Sequence, residues 1–350
     1  MIDGSVYEGV LYGGRRSAVG EVVFTTGMSG YQETLTDPSF CGQIVVMTYP
    51  LVGSYGISPM FNQGRRSFFE GYVIGELCDY PSNWRSEASL EEFLEAQELP
   101  CLAGVDTRAI TRKIRSHGVL KGVIVPADTS EEEVQRLLAT PDMHDQIARV
   151  TTPEIYSLGE SSKKYHVAVL DLGIKQNILN FLQLFDCHLT VFPAFTSPEE
   201  ILRYNPDGIF LSNGPGDPKD VPEVIENIKR LMGKRPIFGI CMGHQLLALA
   251  NGADTYKMKF GHRGVNQPVK DLRSNKIYMS SQNHGYAVDE KSLEGKPITV
   301  THISMNDGTI EGLRYDNYPA FAVQYHPEAC PGPGGHEVLF QQFIDLMEGR

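Results

Sequence analysis

Pro236-Ile-Phe-Gly-Ile-Cys-Met-Gly-His-Gln-Leu-Leu-Ala-Leu-Ala250 is the stretch that decides how the second half of this chain folds. Its apolar start reads as a buried strand, broken at Gly239 and Gly243, and a helix-forming run follows at once. Gly-x-Cys-x-Gly at a strand-to-helix turn is the thiol counterpart of the nucleophile elbow, a sharp turn that pushes its central side chain out of the sheet. The helix N-terminus beneath Cys241 brings partial positive charge and free amide hydrogens, which favour a negatively charged sulfur. Free cysteines are mostly packing residues, and Cys41, Cys78, Cys101, Cys187 and Cys330 have no comparable setting. Cys241 is the candidate nucleophile.

Working outward, short apolar strands at 167–170, 189–192, 208–211 and 237–240 alternate with helical spacing at 174–185 and 221–232. That alternation predicts an α/β fold with a largely parallel sheet covered on both faces over residues 166–350. Reactive residues in such sheets collect at the carboxyl ends of strands, where Cys241 falls. The stretch Thr151 to Lys164 is polar and broken by Pro153 and Gly159, so 151–165 reads as a linker. Residues 1–150 read as a separate mixed α/β domain, with strands at 19–24 and 43–48 and helices at 90–97, 107–116 and 131–139.

At 350 residues, two domains are the better expectation. The net charge of -12, with no basic run to offset it, argues against nucleic acid or an anionic membrane as a partner. Six scattered cysteines form no disulfide framework, and no Cys-x-x-Cys suggests zinc, so no metal is expected. Neither a signal peptide nor an apolar run long enough to span a bilayer is present in the sequence, and a cytoplasmic location is expected.

A cysteine nucleophile needs a base, and the base an orienter. His326 ends the apolar strand Ala320 to Tyr325, and Pro327 stops that strand beside it. Glu328 can turn back to hold one ring nitrogen and set the tautomer. His244, three residues after Cys241 on the helix, is a weaker candidate base. The loop Ser212-Asn-Gly-Pro-Gly-Asp-Pro218 follows a strand and can aim backbone N–H groups at an oxyanion, with the amide of Met242 as a second donor.

Gly-Ile-Cys-Met-Gly-His-Gln, the Asn-Gly-Pro-Gly-Asp-Pro loop and His-Pro-Glu together resemble the triad-type, class I glutamine amidotransferases, whose catalytic domain is flavodoxin-like. Tyr256 to Pro268, Ser281-Gln-Asn-His-Gly-Tyr-Ala-Val288, Gly27 to Phe40, Thr48 to Gly53 and Gly104 to Arg112 are similar to the carbamoyl phosphate synthetase small subunits. The resemblance implies Cys241 as nucleophile, His326 as base and Glu328 as its partner. It places Gly214, Gly216, Met242, Gln245, Asn283, Gly285 and Tyr286 around L-glutamine, with Ser39 reaching across from the first domain. It also implies glutamine hydrolysis through a cysteinyl thioester. The ammonia would pass to a large synthetase subunit, and the product would feed arginine or pyrimidine synthesis.

The sequence has no Gly-x4-Gly-Lys-Ser/Thr phosphate loop, so no cofactor is expected in this chain, and ATP and Mg are expected in the large subunit. Met242 stands where the family usually has leucine, a swap that a backbone donor tolerates. Pro331-Gly-Pro-Gly-Gly-His336 starts like the family's segment and then diverges, and an N-terminal edge strand is expected to be missing. Two rivals remain. One is a glutaminase subunit of another complex, of the anthranilate or guanylate type. The other is a non-catalytic regulatory subunit.

Overall fold

The computed structural model describes residues 1–335 and 337–350, so His336, at the end of the divergent segment, lies outside the described residues. The chain divides into two units, Met1–His144 and Asp145–Arg350.

The first unit contains β1 (Val10–Gly13), β2 (Ala18–Thr25), β3 (Gln43–Met47), β4 (Leu51–Val52), β5 (Gly71–Val73), β6 (Glu76–Leu77), β7 (Pro100–Ala103) and β8 (Leu120–Ile124). Its helices are α1 (Tyr31–Thr36), α2 (Leu90–Ala96), α3 (Thr107–His117) and α4 (Glu131–Leu138). Six strands form a mixed sheet in the order β1-β7-β5-β3-β2-β8, while β4 and β6 pair separately. Local chemistry explains the helix starts. Ser89 and Glu92 form a reciprocal capping box at α2, and the Asp106 side chain accepts from the Ala109 N–H at α3. Ile110 and Ile114, one turn apart on α3, are both buried. Val23, Leu35, Val45, Tyr72, Leu90 and Leu94 fill the core of this unit.

The second unit runs α5 (Gln146–Val150), β9 (Tyr156–Leu158), β10 (Tyr165–Asp171), α6 (Gln176–Leu184), β11 (Cys187–Pro193), α7 (Pro198–Arg203), β12 (Gly208–Leu211), α8 (Pro222–Leu231), β13 (Ile237–Ile240) and α9 (Met242–Ala250). It continues with β14 (Thr255–Asp271), β15 (Ile277–Val288), β16 (Ile298–Ser304), β17 (Ile310–Tyr315), β18 (Ala320–Val323) and α10 (Val338–Met347). The ten strands form one sheet in the order β15-β14-β16-β17-β18-β13-β12-β10-β11-β9. Side-chain alternation sorts the strands onto two cores. Ala168 and Leu170 pack with Val224, Ile228 and Leu246 on one face. Val167 and Val169 pack with Ile178, Leu182, Phe340 and Phe343 on the other. Helices on both faces explain why these strands are apolar throughout.

The expected parallel strands form the middle of a mixed sheet. The contiguous strands β11, β10, β12, β13 and β18 are parallel. Antiparallel strands extend them on both sides, with β9 at one edge and β17, β16, β14 and β15 at the other. The polar stretch read as a linker holds β9, whose three residues bond to the edge of β11. Its mixed composition fits a short edge strand with one side open to solvent.

The turn at Cys241 depends on a close approach of α9 to the sheet. A Cβ on Gly243 would lie 2.3 Å from the Leu211 carbonyl oxygen. Gly243→Ala gains up to about 1 kcal/mol of helix propensity but forces an overpacking cost of about 1–3 kcal/mol. A lower Tm is therefore expected in thermal unfolding, and an unchanged or higher Tm would show that the contact can relax.

Candidate active site

Cys241 bridges β13 and α9 in a conformation that non-glycine residues rarely adopt, with φ 53° and ψ -101°. Three backbone hydrogen bonds hold it there. The Cys241 N–H donates to Val323 O at 2.9 Å, the Gly243 N–H to Ser212 O at 2.9 Å, and the Gln245 N–H to Cys241 O at 3.1 Å. The Met242 amide opens the helix, where no carbonyl in helical register precedes it. The thiol is buried, 3.7 Å from the Asn283 carbonyl oxygen on β15.

His326 lies just beyond β18, and its N–H donates to Ser281 O of β15 at 2.8 Å. Nδ1 pairs with Glu328 Oε1 at 2.7 Å, which sets the tautomer and leaves Nε2 for the thiol. Both side chains are fully buried. Burial alone would push the imidazole pKa down, but the Glu328 carboxylate overrides it and the cysteine thiol adds to the rise. Glu328 is in turn held well below the usual carboxylate range, because Lys175 and His326 outweigh its burial.

Lys175 was not anticipated from the sequence. It sits 1% exposed at the start of α6, where Nζ donates to Glu328 Oε1 at 2.8 Å and to Ala329 O at 2.6 Å. Its backbone N–H donates to Asn213 Oδ1 at 3.1 Å, and Asn213 Nδ2 donates to Gly173 O at 2.9 Å. The loops after β10 and β12 are thereby tied together beneath the triad. The available signal was a lysine at the carboxyl end of a parallel strand, the place where such sheets keep functional groups.

Comparison with known proteins agrees with this geometry. Residues 168–346 match the glutamine amidotransferase class-I family, and residues 1–124 match the carbamoyl-phosphate synthase small chain, CPSase domain. The carbamoyl phosphate synthase small chain of Bacillus cereus (strain ATCC 10987 / NRS 248) is 51% identical over 99% of this chain and 94% of its own length. A pyrimidine-specific small chain from Halalkalibacterium halodurans is 53% identical over 99% and 96%. This chain belongs to the carbamoyl phosphate synthase small-chain family.

The other residues expected around glutamine in a small chain divide into four groups. Asn283, Gly285 and Tyr286 lie half-buried on β15, and Asn283 reaches the thiol through its backbone oxygen. Gln245 is buried, and its amide nitrogen donates to Tyr286 O at 2.8 Å and Gln324 Oε1 at 3.0 Å. That amide nitrogen braces the wall of the site. Gly214 and Gly216 follow β12, and a Cβ on Gly214 would strike Leu172 O at 2.2 Å. Ser39 belongs to the first unit, buried in the turn Pro38–Phe40, with its N–H donating to Asp37 Oδ1 at 2.9 Å. His244 is fully buried, which pushes its pKa down to about 3, so it stays neutral and offers no base. Among the described residues no helix is long and apolar enough to cross a membrane.

The buried Lys175–Glu328 pair predicts a pH-dependent loss of stability. Glu328 sits below its ordinary value when folded, so its ionised form adds stability at and above the usual carboxylate range. That contribution disappears as pH falls through the folded value of about 2. Removing one partner of a buried pair costs about 3–5 kcal/mol. Lys175→Met should show this deficit by urea unfolding at neutral pH, shrinking as the medium becomes strongly acid. A deficit independent of pH would point to lost packing instead.

Proposed function

We propose that this chain is the glutamine-hydrolysing small chain of a carbamoyl phosphate synthase, releasing ammonia from L-glutamine. The observation that carries this reading is a buried cysteine on a strained strand-to-helix turn beside an imidazole held by Glu328, in a chain of that family. His326 takes the thiol proton, and Sγ attacks the side-chain amide carbon of glutamine. The Met242 amide and the glycine loop after β12 face the resulting oxyanion. The C–N bond breaks as His326 returns a proton to the leaving nitrogen, giving ammonia and a glutamyl thioester. His326 then deprotonates a water that opens the thioester, and glutamate leaves as the sulfur regains its proton. Glu328 holds the ring throughout, and Lys175 holds Glu328.

The partner in this reading is the large synthetase subunit, which would bind ATP and Mg and combine the ammonia with bicarbonate in the cytoplasm. The test is carbamoyl phosphate formation from glutamine or ammonium, with a large subunit added. Cys241→Ser should abolish the glutamine reaction and retain the ammonium one. Glutamine-dependent product from Cys241→Ser would remove Cys241 as the nucleophile, and none from the wild type beside a working ammonium reaction would remove the proposed pairing.

Because Met242 contributes a backbone donor in this scheme, Met242→Leu should leave kcat and KM for glutamine within about twofold, as volume-conserving swaps do. A loss of tenfold or more in kcat would show that the side chain itself shapes the site.

A further inference from the structure

Outside the triad, β14, β15 and β17 bring together three buried side chains that the glutaminase chemistry does not use. One nitrogen each from His262 and His284 and one oxygen of Glu311 all lie within 4.8 Å of one another. Glu311 Oε1 is 3.4 Å from His262 Nδ1 and 3.9 Å from His284 Nε2. Ligands about 2.0–2.1 Å from one tetrahedral zinc stand roughly 3.3 Å apart, so these spacings suit a shared centre after small adjustment.

The hydrogen bonds on the outer side of the rings decide what the inner side can do. His262 Nε2 pairs with Asp307 Oδ2 at 2.9 Å, and His284 Nδ1 with the Tyr286 carbonyl oxygen at 2.8 Å. Both partners are acceptors, so a proton held on the outer nitrogen of each ring satisfies them. In the neutral rings, His262 Nδ1 and His284 Nε2 then turn lone pairs toward Glu311. Metal-bound histidines are oriented by this same pattern of an outer carboxylate or carbonyl. Glu311 is 0% exposed, and neither its two oxygens nor His262 Nδ1 has a hydrogen-bond partner. Gln282 Oε1, 3.2 Å from His284 Nε2, adds another electron pair to the group. Arg263, next to His262 on β14, donates from Nη1 to Phe260 O at 2.7 Å.

We infer that His262, His284 and Glu311 form a structural site for a divalent transition metal of the zinc class, with Asp307 as the outer partner of His262. Imidazole and carboxylate donors suit zinc among the available metals. Asp307 is 43% exposed, which places the outer side of His262 near the surface. The bound ion would clip β14 and β15 to β17 and so brace the strand that carries Asn283 and Tyr286.

The test uses the untagged full chain with Cys241→Ser, so that the catalytic thiol cannot hold the ion. After zinc loading and gel filtration, mass spectrometry of the metal should find one zinc per chain. Cobalt loading should give the visible absorption of a tetrahedral nitrogen and oxygen site. Glu311→Gln and His262→Asn, checked for folding by circular dichroism, should lose the bound metal. Asp307→Asn, a milder change at the rim, should weaken binding about 10- to 100-fold. No zinc retained by the Cys241→Ser chain, or equal retention after Glu311→Gln, would overturn the inference. Both readouts are independent of glutaminase activity, so failure here leaves the proposed function standing.

Discussion

The chemistry of the second unit depends on how closely α9 can approach β13 and β12. Gly239 and Gly243 have no side chains to hold the elements apart, and a Cβ on Gly239 would meet the Gly243 carbonyl carbon at 2.9 Å. Only that contact lets the chain reverse within one residue, and the residue at the apex must take a positive φ. A non-glycine residue in such a conformation costs on the order of 1–3 kcal/mol. The hydrogen bonds from Cys241 to Val323 and from Gly243 to Ser212 over-determine the turn and offset that cost. The strain sits where it directs the thiol out of the sheet.

Buried charge extends the same logic. Lys175, Glu328 and His326 form a chain with almost no solvent contact, and such groups add little net stability because desolvation consumes most of their attraction. Their value is positional. Lys175 and a protonated His326 flank a single carboxylate and leave positive charge beside the sulfur, where a thiolate and then an oxyanion must be accommodated. The Lys175 Nζ bond to Ala329 O also fixes the backbone after Glu328, so one cation orients both the carboxylate and the segment that carries it.

Local signals made part of this legible in the sequence. Short apolar strands at 189–192 and 237–240 sit inside β11 and β13, because a buried parallel strand is apolar on both faces. The helices expected at 90–97 and 107–116 match α2 and α3, whose first turns are closed locally by Ser89 and Asp106. Cys241 and His326 stood out because glycine and proline punctuate the chain around them. Lys175 did not, because its meaning depends on Glu328, 153 residues away. The antiparallel extension was missed for a different reason. The 17 residues of β14 contain Gly261, Gly264 and Pro268, turn-type residues that mask them as a strand. His262, His284 and Glu311 lie on three separate strands, so no local spacing brings them together.

That extension reaches the candidate nucleophile and base. β15 meets Cys241 through Asn283 O and His326 through Ser281 O, so its register against β14 bears on the spacing of both groups. A one-residue slip would turn every side chain on β15 to the opposite face. Register shifts between Lys257 and His262 and between Gly264 and Gln267 mark bulges on β14, and bulges pin register. The first of them ends at His262, whose ring faces Glu311 of β17 and packs edge-on against His284 of β15. The parallel core thus generates the strained turn, while the antiparallel strands carry Ser281 and Asn283, whose backbone oxygens meet His326 and Cys241. The imidazole and carboxylate cluster lies where a slip between the two would begin.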